Sequence, residues 1–99
     1  MPALSEYSNV HDSVFNILSK KGYKVWIDPE KETYWAEKDG WDFSAFSPCA
    51  LLGIVSLFEY KKPDHYKEYW WRESGDQSES TLATMPPDYV SVVRSNKFN

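Results

Sequence analysis

Hydrophobic positions along the chain switch between a helical period and a period of two, and the switches predict the elements in order. Val10, Val14, Ile17 and Leu18 recur at helical spacing with Phe15 beside them. That places one apolar face on a first helix, capped at Ser8 or Asn9 and running to about Lys21. Gly22 is a natural stop just past Lys20 and Lys21. From Tyr23 to Ile27 the period falls to two, with Val25 and Ile27 facing one way and Lys24 and Trp26 the other. Asp28-Pro29-Glu30-Lys31 fits a type I turn, with Asp at its first position and Pro at its second. Glu32 to Glu37 then returns as a second strand. Lys38-Asp39-Gly40 signals a hairpin, because Asp-Gly accepts the positive φ of such turns. Trp41 to Ala45 is the third strand, with Trp41 and Phe43 on one face.

The longest apolar run follows, from Ser47 to Tyr60. Ser47 suits an N-cap, Pro48 the first helical position, and Pro63 the stop. Lys61 and Lys62 suit the negative end of the helix dipole. Leu51, Ile54, Val55 and Phe58 share one face, which Ala50, Leu52 and Leu57 widen. Tyr66 to Arg72 has the composition of a fourth strand, with Tyr66, Glu68, Trp70 and Arg72 on one face and Lys67, Tyr69 and Trp71 on the other. Residues 73–87 read as a long polar loop, and Tyr89 to Val93 as a last edge strand before a tail at 94–99.

The expected fold is therefore α+β: a mostly antiparallel sheet of four to five strands, with two helices packed on one face, in the order α-β-β-β-α-β-β. The other face of the sheet is expected to stay open. A chain of 99 residues suffices for a single domain, 1–99, whose core needs neither a disulfide nor a structural metal.

Composition adds an aromatic excess. Five Trp and seven Tyr are more than so small a core readily hides, so some belong at the surface. The net charge of −4, with no basic stripe, argues against nucleic acid as partner and for a basic one. The single cysteine, Cys49, forms no internal disulfide and fits a reducing compartment. There is no secretory signal pattern, and the run from Cys49 to Phe58 is half a membrane span. A cytoplasmic protein is expected.

Few motifs carry chemistry. Cys49 with His11 or His65, and Asp12 or Asp64, supplies the residue types of a nucleophilic triad, but no local signature surrounds it. Heading an apolar run, Cys49 reads better as a small core residue. His11 and His65 are not spaced as a metal-binding pair, the four glycines form no phosphate loop, and no carboxylate pair marks an active site. No catalytic residue, cofactor or metal is expected.

The carboxylates of the three-stranded segment and its turns, among them Glu37, Asp39 and Asp42, read either as a solvated rim or as an acidic docking patch. Trp26, Trp35, Glu68, Trp70 and Arg72 complete the candidate binding residues, since Trp is enriched among residues that dominate interface energy. A non-catalytic domain that binds a basic protein is the leading expectation. A small-ligand module for sugar or nucleotide, using the aromatic face, is the alternative, and a homodimer through that face is a further one. In size, acidity and expected location the chain is similar to the small immunity proteins that neutralise bacterial toxins. The similarity is one of class and no motif carries it.

Overall fold

A computed structural model describes residues 2–95. The chain divides into two units: Glu6–Trp71, and a second formed by residues 2–5 with residues 72–95.

The first unit is α+β. Helix α1 spans Ser8–Lys20, strands β1, β2 and β3 span Lys24–Asp28, Thr33–Lys38 and Trp41–Ala45, and helix α2 spans Pro48–Lys61. The sheet is antiparallel in the order β1-β2-β3. Its second turn holds Asp39 and Gly40 at φ of 53° and 87°, the positive pair that the Asp-Gly sequence tolerates. In the first turn the Asp28 carboxylate accepts from the Glu30 and Lys31 amides at 3.1 and 3.3 Å.

Both main helices end as their residues dictate. Ser47 caps α2, its hydroxyl accepting from the Ala50 amide at 3.1 Å, a contact generally worth about 1 kcal/mol. Lys62 closes α2 in the left-handed conformation ahead of Pro63. Past α1, the Tyr23 amide donates to the Leu18 carbonyl and the Gly22 amide to that of Ser19, with Gly22 at φ 96°. These are the two bonds of a Schellman closure, which glycine makes without strain. The start of α1 differs from expectation. Tyr7 occupies the cap position without a side-chain bond, and Ser8 is already helical.

The core lies between the helices and one face of the sheet. Val14 and Leu18 from α1, Leu51 and Val55 from α2, and Ala36, Phe43 and Ala45 from the strands are all buried. Ile54, Leu52 and Phe58 pack against them, while Ala50 and Leu57 stay exposed, so the apolar face of α2 is narrower than its sequence implies.

Among the described residues, three strands form where four to five are expected. Tyr66–Arg72 is not a strand: the Trp70 amide closes a turn on the Lys67 carbonyl at 3.1 Å, and Tyr69 sits at φ 61°. The physical reason is Trp70 itself. Its ring stands edge-on to Phe58 and Trp41, with centroids 6.0 and 5.5 Å away, and such burial of one large aromatic outweighs strand propensity. The shared face of Tyr66, Glu68, Trp70 and Arg72 therefore does not exist.

In the second unit, Tyr89 and Val90 form no strand, and Val92–Ser95 is a short helix, α3. The Ser91 hydroxyl accepts from the Val93 amide at 3.2 Å and starts that turn. Within 73–87 the one regular piece is a 3-10 turn at Glu79–Thr81, capped reciprocally by Ser78 and Thr81. Residues 96–99 of the expected tail lie outside the described residues. Among the described residues, no helix is long and apolar enough to cross a membrane.

One polar cluster makes stability pH-dependent. The buried Tyr23 hydroxyl donates to Glu59 at 3.2 Å, and Lys21 donates to the same carboxylate at 2.7 Å. Burial, then the charge of Glu59 and the bond to it, pushes the phenol up to about 12. The Lys21 bond, with the Tyr23 bond and the Lys21 and Lys38 charges, outweighs burial and holds Glu59 below its ordinary value. The phenol's contribution is complete below its ordinary value near 10.0 and lost as pH rises through about 12. The carboxylate's contribution is present above its ordinary value and lost as pH falls through the depressed one. Urea titrations across alkaline pH should therefore show stability falling between those limits in the parent protein, and less so in Tyr23→Phe.

Candidate functional site

Strand register decides which side chains share the open face. Trp26 pairs with Trp35 across β1 and β2, and Trp35 with Ser44 across β2 and β3. The adjacent row is Lys24, Glu37 and Asp42, and the row beyond the indoles is Asp28 and Thr33. Because side chains alternate, all of these point away from the buried Ala36, Phe43 and Ala45.

The two indoles stack. Their centroids lie 5.8 Å apart with planes 10° from parallel, and Trp26 remains 47% exposed. The Trp35 Nε1–H donates to the Thr33 hydroxyl at 3.2 Å, which fixes that ring without a bond to Trp26. A fixed aromatic platform loses little conformational entropy when something lands on it. Ile27, Asp28 and Pro29 join the indoles around an open hollow of about 420 Å³.

Charge on this face is mainly negative. Of the strand residues in these rows, Asp28, Glu37 and Asp42 are acidic and Lys24 is basic. Glu37 is held in place, its carboxylate accepting from the Gly40 amide at 2.9 Å. Asp39 lies in the adjoining turn, exposed. Lys38 takes no part: its ammonium donates to the Lys21 carbonyl at 2.8 Å and stands 5.3 Å over the Tyr23 ring.

Of the residues singled out from sequence, Trp26, Trp35, Glu37 and Asp42 thus share one face, with Asp39 at its rim. Glu68 sits exposed in the turn after α2, Trp70 packs half-buried on the aromatic cluster, and Arg72 belongs to the second unit. Trp41, in the strand next to Trp35, turns inward and meets Phe58 at 5.0 Å.

A second polar constellation lies at the start of the two main helices. The Glu6 carboxylate accepts from the Cys49 amide at 3.2 Å and from the Ser47 hydroxyl at 3.4 Å, and contacts His11 Nε2 at 3.2 Å. Desolvation pushes its pKa up, but the bonds from Cys49, Ser47 and His11 outweigh that and hold it below the usual carboxylate range. Desolvation, then the bond to Glu6 and its charge, pushes the Cys49 thiol up. A nucleophilic cysteine needs the reverse shift and an imidazole between thiol and acid. Here the acid stands between the other two groups. The sequence pairs Cys49 with His11 or His65 only as triad residue types and does not single out Glu6, because no motif spacing links Glu6 to Cys49.

Comparison of the chain with protein-family models, with curated proteins and with solved structures finds no match.

Proposed function

We propose that the chain is a non-catalytic protein-binding domain whose open sheet face receives a basic segment of a partner protein. The observation that supports this most is the stacked, half-open Trp26–Trp35 pair set among carboxylates. An arginine-rich segment fits that chemistry best. A guanidinium stacks on an indole and pairs in a fork with a carboxylate, and Asp28, Glu37 and Asp42 all lie one side-chain row from the indoles. The net charge of −4 adds long-range attraction that speeds encounter. A toxin or nuclease whose basic active site is masked in this way is the partner class that fits, as in an immunity-type inhibitor.

The test is a tryptophan-fluorescence titration with a short arginine-rich peptide. Saturable binding that weakens as salt is raised supports the reading. A flat response at low salt overturns it.

The hollow beside the indoles favours a second reading, a small-ligand module for sugar or nucleotide. Its volume of about 420 Å³ falls within the usual range of ligand sites. Titration with a sugar and nucleotide panel separates the two, since a docking face for arginine responds to the peptide and not to the panel.

A further inference from the structure

We propose that Glu6, His11 and Cys49 form a three-ligand site for a thiophilic divalent transition metal, with zinc the best fit. One donor atom from each residue lies within 4.8 Å of the other two. Glu6 precedes α1, His11 lies in the first turns of α1, and Cys49 is the second residue of α2. The fold thus gathers three donors from three segments.

The donor set selects the ion. Thiolate, imidazole and carboxylate together suit zinc and its neighbours, whereas magnesium and calcium take shells of oxygen. Zinc bond lengths of about 2.0–2.3 Å set the donors of a tetrahedron roughly 3.5 Å apart. The His11 to Glu6 separation of 3.2 Å already matches, and the Cys49 sulfur lies within 4.8 Å of both donors.

The surroundings support the ligands. Glu6 is oriented by the Ser47 hydroxyl and the Cys49 amide, the kind of outer contact that fixes a ligating carboxylate. His11 and Cys49 are half-buried and Glu6 is exposed, so an ion has a way in. With three protein ligands, a fourth position is left for water or a partner's side chain. Without an ion, the carboxylate next to Cys49 opposes a thiolate. A dication neutralises both, so binding expels the thiol proton to solvent as the sulfur–metal bond forms. This site is distinct from the sheet face, and neither proposal depends on the other.

The test uses the reduced full chain and cobalt(II) as a spectroscopic stand-in for zinc. The expected result is one equivalent bound, with a thiolate-to-cobalt charge-transfer band and intense tetrahedral ligand-field bands, both erased by zinc. Cys49→Ala removes the charge-transfer band, and His11→Ala weakens binding at least about tenfold, while His65→Ala changes neither. Glu6→Gln, which keeps an oxygen acceptor for the Cys49 amide, separates ligation from capping: it weakens cobalt binding with the helical circular dichroism unchanged. Cobalt binding without the sulfur band, or binding that His11→Ala leaves at full strength, overturns the proposal.

Discussion

Leu51→Ala is expected to lower the free energy of unfolding by about 2–5 kcal/mol. Leu51 is completely buried in the first turn of α2, in one cluster with Leu18, Val55 and the inward side chains of the sheet. Truncation removes apolar contacts on every side and leaves a cavity that a clamped helix closes poorly. Small domains hold only about 5–15 kcal/mol in total, so the loss is a large share. The melting temperature should drop by roughly 10 °C or more. Leu57→Ala, on the exposed side of the same helix, should shift stability by no more than about 0.5 kcal/mol. Thermal and urea melts of the two variants measure the contrast directly. Equal losses would contradict the orientation of α2.

The second large effect concerns binding. Trp26→Ala is expected to weaken binding of an arginine-rich peptide by about 2 kcal/mol or more, roughly thirtyfold. Its cost to folding is smaller than that of Leu51→Ala, because Trp26 is 47% exposed; its stack on Trp35 adds about 0.5–1.5 kcal/mol to the area it buries. Asp42→Asn should act differently. It removes a rim charge, so it slows association and flattens the salt dependence more than it speeds dissociation. Leu57→Ala should leave affinity unchanged. Calorimetric titration of the three variants, with melts alongside, separates a damaged fold from a damaged face. If affinity falls only in step with stability, the indoles are structural and not a docking platform.

Much of the first unit is legible in the residues. Ser47-Pro48 and Pro63 bracket α2, Asp39-Gly40 fixes a hairpin, and alternation at Lys24, Val25 and Trp26 assigns the faces of β1, while Ile27 beyond them stays exposed. These signals are local, so they survive without knowledge of tertiary contacts. The segment 66–72 fails for the converse reason. Aromatic residues are equally at home in a strand and in a plug over a core, and only the position of Phe58, Trp41 and Phe43 decides for Trp70. Ser91 likewise starts a helical turn inside a β-branched run.

The candidate face was half legible. Three adjacent strands bearing Trp26, Trp35 and Trp41 suggest a cluster, but register splits it. Trp26 and Trp35 are partners and face out, while Trp41 pairs with Lys38 and faces the core. Glu68 and Arg72 were tied to that face through a strand that does not form. The convergence of Glu6, His11 and Cys49 is a product of how α1 meets α2, which no spacing along the chain announces.

Recognition of a basic segment at the open sheet face is tested most directly by backbone and indole amide shifts during titration with the arginine-rich peptide. The prediction is that salt-sensitive changes concentrate at Trp26, Trp35, Glu37 and Asp42, including both indole N–H signals. Changes centred elsewhere, with those indole signals unmoved at saturation, would contradict it.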